Sequence, residues 1–510
     1  MTTRSFGSNA LFSVASWFIP AVALFFAVPI TVRGLGANQF GLLARVGALT
    51  GYLSLMDMGL ATAIVRYLSY YGALDEGRPM VDIVRFAFVW FLVAGLIGAV
   101  LLFLGAPWIV QGLLKVPRHL WPTAETVVRL TAFNFVVAML LSVASVIPQG
   151  FLRYDIAGVM TAVFGSLNAI GPAVLVSLGH GLEAIVVFSI VCDAAALVLY
   201  CVFAVRLFRR VTLSSGPEWK TIRRSALTFA GFNAATRMHM AVAAQTCRLV
   251  VGIAGGTAAA AFYQVPNLVS SNLGSMLSKV GQVLFPTGAD LMARQDHEGV
   301  NRLYFRVSRL LFVVNASASV SVCLFATPLL AYWVGPQYAH RGAVALVLFT
   351  IAGAVDACSL APSNLRLSAG RAGVNLAFSA SNSAVTLVAV YPLTVRYGIS
   401  GTALAWLLGS FNVPFSLYYT HRWILGVSSR EVWKRSYRPT VLGAGLVGVA
   451  TYFLLVPFAR SLVSTLLLAG VSVALSVVIS GMLGAVSRED LATARRLAGA
   501  AFKLVDGRAT

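Results

Sequence analysis

The chain reads as an all-α polytopic membrane protein. About fourteen transmembrane helices are expected, as two six-helix lobes in a parallel pseudo-two-fold repeat plus two C-terminal helices. Three observations lead there. Of its 510 residues, 58% are apolar and only 11% are charged, against roughly 25% charged in an average soluble chain. The apolar residues gather in long charge-free runs. Local motifs recur about half a chain length apart. The formal net charge is +21, yet the basic excess does not suggest nucleic acid, because soluble binders of that kind carry many more charges among fewer apolar residues. A disordered chain would also be charged and poorly apolar. A β-barrel would need short segments of alternating polarity, which are absent.

The helical runs fall at 9–32, 40–65, 86–110, 125–147, 156–178, 183–205, 227–251, 261–286, 307–331, 343–362, 373–395, 400–420, 439–457 and 462–484. Each is near the roughly 20 residues that cross a bilayer. The first follows a single basic residue, Arg4, and is too long for a signal-peptide core, so it reads as an uncleaved helix. The second is interrupted at Asp57-Met58-Gly59, where a kink is expected. Pro20, Pro29, Pro172, Pro266 and Pro286 mark further kinks.

Orientation follows from Lys and Arg. With the N-terminus inside, the inner segments hold 27 of them and the outer segments 8. This bias places both termini in the cytoplasm. Arg366 counts among the inner residues, and Arg45, Arg66 and Arg129, near run ends, read as interfacial anchors. The longest outer loop is 111–124, too short to fold as a domain. The basic tail, 486–510, is expected on the inner leaflet, drawn by anionic membrane lipids. Cys192, Cys201, Cys247, Cys323 and Cys358 lie in apolar runs with no CxxC pair. They read as small buried hydrophobes, with no disulfide, metal or cofactor implied.

The repeat rests on connections. Gly150-Phe-Leu-Arg-Tyr-Asp-Ile-Ala-Gly-Val159 follows run four, and Asn364-Leu-Arg-Leu-Ser-Ala-Gly-Arg-Ala-Gly-Val374 follows run ten. The offset is near 214, or 215 if Gly158 is matched to Gly373. Gly179–Ala184 matches Tyr397–Ala403, and Phe40-Gly41-Leu42 matches Ala261-Phe262-Tyr263. Six helices per copy is an even number, so the copies enter the membrane in the same direction, as in rocking transporters. The expected division is an N-terminal lobe at 1–215, a C-terminal lobe at 216–430, and helices thirteen and fourteen with the tail at 431–510.

Leu35-Gly36-Ala-Asn-Gln-Phe40-Gly41-Leu, followed by Leu53-Ser-Leu-Met-Asp57-Met-Gly59-Leu-Ala-Thr-Ala-Ile-Val65-Arg66-Tyr67, resembles the first two helices of the bacterial polysaccharide-transport (Wzx-type) flippases. These belong to the multidrug/oligosaccharidyl-lipid/polysaccharide (MOP) exporter superfamily. Gln149-Gly150 and the Gly398, Gly401, Ala403 entry into run twelve fit the same pattern. The resemblance covers the whole chain. It implies a bacterial inner-membrane protein that carries a lipid-linked oligosaccharide between leaflets, through a central cavity that is often cationic. It names a polysaccharide polymerase and chain-length proteins as candidate partners. The superfamily leaves two alternatives open, a drug/cation antiporter and a lipid II flippase. The first would be expected to line its cavity with acids, and the second to carry a basic cluster in helix one, which this chain lacks before Arg33.

Three cations, Arg237, Arg248 and Lys279, lie at membrane depth, where an Arg costs about 2.5–3.5 kcal/mol on insertion scales. Arg237 and Arg248 are eleven residues apart, so they share one helix face with Asn233. Run eight carries a polar stripe that includes Gln264, Asn267 and Ser271, with Lys279 to its side. Asn168 in run five and Asn382 in run eleven belong to similar stripes. These residues are the candidate cavity lining, with the guanidinium groups suited to phosphate oxygens. Asp57 and Asp356 are candidates for a coupling ion, while Asp193 reads as a packing or pairing residue. A membrane-embedded polymerase or ligase would need a sizeable outer loop, and no Walker A, HExxH or GxSxG motif occurs. No enzymatic activity is therefore expected.

Overall fold

The computed structural model describes residues 6–53, 60–73, 76–209, 211, 219–281, 291–292 and 294–485. The described residues are helical with short connections and contain no strand. In order they form α1 (Phe6–Leu53), α2 (Leu60–Ala73), α3 (Gly77–Trp108), α4 (Trp121–Gly150), α5 (Tyr154–Ser177), α6 (Leu182–Phe208), α7 (Trp219–Gly281) and α8 (His297–Leu324). There follow α9 (Ala326–Trp333), α10 (Pro336–Ala357), α11 (Leu360–Ser368), α12 (Ala372–Gly409), α13 (Val413–Thr420), α14 (Ser429–Val432), α15 (Arg438–Leu454) and α16 (Leu462–Ser480). Where helices leave the apolar layer, local chemistry marks their ends. Asp296 caps α8 by accepting the Gly299 N–H at 2.8 Å. Ser461 and Ser464 form a reciprocal capping box at the start of α16.

Among the described residues, ten helical stretches are long and apolar enough to cross a membrane. Four of these contain a glycine with non-helical dihedrals; Gly484 lies at the end of its stretch, and three lie well inside: Gly36 in α1, Gly256 in α7 and Gly398 in α12. Each of these three breaks separates two of the runs read from sequence. Arg438–Leu454, at 17 residues, supplies a further span. Among the described residues, the fourteen apolar runs correspond to helix with short breaks. The expected kink at Asp57-Met58-Gly59 lies outside the described residues.

The backbone sharpens the repeat and corrects its register. Gly36 and Gly256, which end the first helix of each copy, both have positive φ and stand 220 residues apart. Gly179 and Gly398, which end the fifth, both have positive φ and stand 219 apart. Arg153 and Arg371, 218 apart, are the N-cap residues of α5 and α12, with near-identical φ of −92°. Each follows a residue in the left-handed region, Leu152 or Gly370. Leu152-Arg153 therefore corresponds to Gly370-Arg371, and the match to Leu365-Arg366 is a coincidence of composition. Turn geometry fixes the register because the connections tolerate few conformations, whereas Leu and Arg recur freely.

The described residues pack as two units, one drawn from Met1–Gln264 with Val390–Ile399, the other from Val265–Ala389 with Ser400–Thr510. In the first, α1 lies along α5, and α3 and α6 both lie along α4. Leu42, Ile64, Leu68, Phe91, Val143 and Ile147 form part of its core. Leu104, Val198 and other large apolar residues face outward, as lipid-facing surfaces require. Small residues permit the close crossings: a Cβ on Gly98 would meet the Phe135 ring. In the second unit, α15 and α16 dock on α8 partly through hydroxyls. Ser317 and Ser476 meet at 2.8 Å, and the Ser321 hydroxyl donates to the Ala469 carbonyl at 3.0 Å.

The tightest helix contact in the first unit joins α1, beyond its break, to α7. The Thr257 hydroxyl donates to Asn38 Oδ1 at 3.0 Å. A Cβ on Gly41 would fall on the Thr257 carbonyl. That neighbour is backbone and cannot turn aside, so Gly41→Ala is expected to destabilise the protein by about 1–3 kcal/mol. The midpoint of thermal unfolding in detergent checks this, with Gly47→Ala, which meets nothing within 4 Å, as the control.

Candidate functional site

Polar side chains inside an apolar layer must find partners within the protein, so their hydrogen bonds locate the candidate site. In the first unit, α4, α5 and α6 each contribute one residue. The Asn168 amide on α5 donates to Asp193 Oδ1 on α6 at 3.1 Å. Asn134 on α4 also reaches the Asp193 carboxylate through its side chain, while its own Oδ1 is buried without a hydrogen-bond partner. Asp193 is half-buried. The sequence places Asn168 in the site and reads Asp193 as a packing or pairing residue, and the carboxylate pairs with the Asn168 amide. The available signal was its isolation in α6, an apolar helix in which the only other acid is Glu183 in the first turn.

The second unit also holds a carboxylate that accepts a neutral donor. Asp356, near the end of α10, accepts the Ser410 hydroxyl at 2.7 Å just beyond α12. Asn382 on α12 lies where the Cβ-less Gly409 approaches, and its Oδ1 is buried without a hydrogen-bond partner. Asn412 donates to the Phe378 carbonyl at 2.9 Å and to the Ser381 hydroxyl. Each unit thus holds a half-buried carboxylate that accepts a neutral donor, the Asn168 amide in the first and the Ser410 hydroxyl in the second. Among the described residues neither carboxylate forms an ion pair.

The candidates on α7 divide. Arg248 is half-buried and donates to Gln245 Oε1 at 3.5 Å, with its Nε buried and unbonded. Gln245 in turn packs against Gly51 of α1, next to a hydrogen bond between the Tyr52 and Thr246 hydroxyls. Arg248 therefore borders the seam between α1 and α7. Gln264 is half-buried with Oε1 unbonded, and Asn267 is half-buried. Ser271 is exposed and its hydroxyl returns to the Leu268 carbonyl of its own helix at 3.1 Å. Arg237, Asn233 and Lys279 stand on the described backbone of α7, and their side chains lie outside the described residues, as does Asp57 entirely. No cluster of three or more His, Cys, Asp or Glu able to hold a metal occurs among the described residues. The five cysteines are free thiols.

Two arginines that composition assigned to membrane surfaces are buried. Arg45, expected as an interfacial anchor, is 1% exposed. Its guanidinium donates to the Leu114 carbonyl at 2.6 Å and to the Gly252 carbonyl, where only glycine leaves room for it. Arg366, counted with the inner loops, is 2% exposed. It donates to Asn375 Oδ1 through Nε and Nη2, at 3.2 and 2.9 Å. Its Nη1 reaches the Ser416 and Thr420 hydroxyls, each at 2.8 Å. The Phe378 ring faces it at 5.3 Å. Neutral oxygens and a π face take the place of a counter-ion. Sequence bias missed both residues because it records proximity to a helix end and is blind to the carbonyls left unpaired there.

Residues 30–342 match the family described as polysaccharide biosynthesis protein. A Shigella flexneri protein named for O-antigen transport is 22% identical over 400 residues, spanning 78% of this chain and 93% of its own length. Among solved structures, the inward-closed lipid II flippase MurJ aligns with a TM-score of 0.73 at 10% identity, covering 94% of this chain and 99% of its own. An inward-facing multidrug-resistance MATE transporter of the MOP superfamily aligns at 0.67 with 13% identity, covering 83% and 99%. These last two likenesses speak to the fold.

Proposed function

Because the chain belongs to the polysaccharide biosynthesis protein family, we propose that it is a flippase for a polyprenyl-pyrophosphate-linked oligosaccharide, a precursor of O-antigen, capsule or exopolysaccharide. It moves this lipid from the inner to the outer leaflet of the bacterial inner membrane, with both of its own termini cytoplasmic. The observation that carries the reading is the family match over residues 30–342, supported by similarity along 93% of a protein named for O-antigen transport. The working division is a lobe at 1–215, a lobe at 216–430, and helices thirteen and fourteen with the tail at 431–510. A polymerase and chain-length proteins are the expected consumers at the outer leaflet. No covalent bond is made or broken in transport.

Substrate phosphates need donors at depth. Arg237 and Arg248 share a face of α7, and the unbonded Nε of Arg248 is one such donor. Arg fits phosphate oxygens through two parallel N–H bonds. Asn233, Gln264, Asn267, Ser271, Lys279, Asn168 and Asn382 remain the other candidate substrate-binding residues. Asp356 and Asp57 are the coupling-ion candidates, now joined by Asp193.

The test is leaflet transfer of a fluorescent polyprenyl-pyrophosphate glycan in proteoliposomes. Arg237→Ala combined with Arg248→Ala is expected to slow transfer at least tenfold, which is about 1.4 kcal/mol in barrier. Transfer at the unaltered rate would remove both arginines from the path.

A further inference from the structure

The first unit contains a second feature outside the polar clusters, a slot between the ends of α3, α4 and α6. It encloses about 550 Å³ and is lined by Val84, Phe88, Ile147, Cys201 and Phe208, among others. Its walls are almost wholly apolar. Two side chains break the pattern, Arg85 from α3 and Arg209 from the end of α6. Both are exposed. Among the described residues neither makes an ion pair or side-chain hydrogen bond. Asp82, one helical turn before Arg85, does not engage it. Arg206, also on α6, lies 6.0 Å from the Phe203 ring and does not line the slot. Arg153, close in sequence to the end of α4, is already neutralised by Asp155 through two 2.9 Å bonds.

An apolar slot with two uncommitted guanidiniums is complementary to an amphiphile with an anionic head. In the orientation proposed above these helix ends are cytoplasmic, where the leaflet presents anionic phospholipids, and basic pockets between helices on that side suit their headgroups. We propose that this slot is a binding site for an anionic phospholipid of the cytoplasmic leaflet. The phosphate lies between Arg85 and Arg209, and an acyl chain fills the space beside Phe88, Cys201 and Phe208. None of the residues proposed above for substrate binding lines the slot, and its occupancy does not depend on which lipid the protein transports.

The experiment uses the purified full chain in detergent and native mass spectrometry, with phosphatidylglycerol, cardiolipin and phosphatidylcholine as probes. Wild type is expected to retain the two anionic lipids at least tenfold better than phosphatidylcholine. Arg85→Gln with Arg209→Gln is expected to abolish that preference, while Arg302→Gln, which breaks an exposed pair with Glu298, leaves it intact. Phosphatidylglycerol carrying a diazirine on its acyl chain is expected to cross-link to α6 near Cys201 in wild type, a readout that survives even if the double variant folds poorly. Equal retention of all three lipids, an unchanged preference in the double variant, or cross-links confined to other helices would each overturn the proposal. So would displacement of phosphatidylglycerol by undecaprenyl diphosphate at equal concentration, which would make the slot a carrier-lipid site.

Discussion

Arg366→Ala is expected to lower stability by about 3 kcal/mol. Three losses contribute. Charge-assisted hydrogen bonds are each worth roughly 1.5–3 kcal/mol, though they are not additive. The vacated volume adds a cavity cost. The contact with the Phe378 ring is also lost. The damage is limited because Asn375 Oδ1 keeps the Ser363 hydroxyl at 2.8 Å, and Thr420 keeps the Ser416 carbonyl at 3.0 Å. Arg366→Lys should fall between, since one ammonium cannot span Asn375 on one side and the Ser416–Thr420 pair on the other. Thermal unfolding in detergent reads the series. A midpoint for the alanine variant equal to wild type would mean that α11, α12 and α13 are held together by other contacts.

The second large effect is on transport. Asp193→Asn and Asp356→Asn keep the volume of each side chain and remove its charge. Each is expected to slow leaflet transfer about tenfold or more while leaving thermal unfolding near wild type, because Asn168, Asn134 and Ser410 retain a polar partner. If transfer is driven by ion movement, the loss should be accompanied by insensitivity to a collapsed proton or sodium gradient. Full transfer in both variants would confine these carboxylates to packing. Transfer by the wild-type protein that ignores every ionophore would end the coupling idea even if the variants fail.

The helices were legible in sequence because the bilayer imposes one strong condition, an apolar run of about 20 residues, and this chain meets it fourteen times. The breaks were partly legible. Gly36 and Gly398 stand out as motif residues, but the one-residue breaks they permit follow from backbone dihedrals that composition does not encode. The site was less legible. Arg237 and Arg248 stand out because their charge is conspicuous. Asp193 was underrated because its partners lie 25 and 59 positions earlier in the chain, on α5 and α4. Arg45 and Arg366 were misplaced for a related reason. A charge near a helix end looks superficial until the carbonyl or hydroxyl that receives it is brought in from another helix.

The single-glycine breaks at Gly36, Gly256 and Gly398 also bear on how the chain is made. A connection of one residue leaves little slack, so the two helices it joins are expected to enter the bilayer together as a hairpin. Neither arm can be inverted without the other. A few basic residues beside one arm are then sufficient to orient both, and a weakly apolar arm is carried in by its neighbour. Lengthening these turns with flexible residues would uncouple the arms during synthesis. Glycosylation or cysteine-labelling tags placed in such an insert should report mixed topologies, where the same tags in the natural sequence report one.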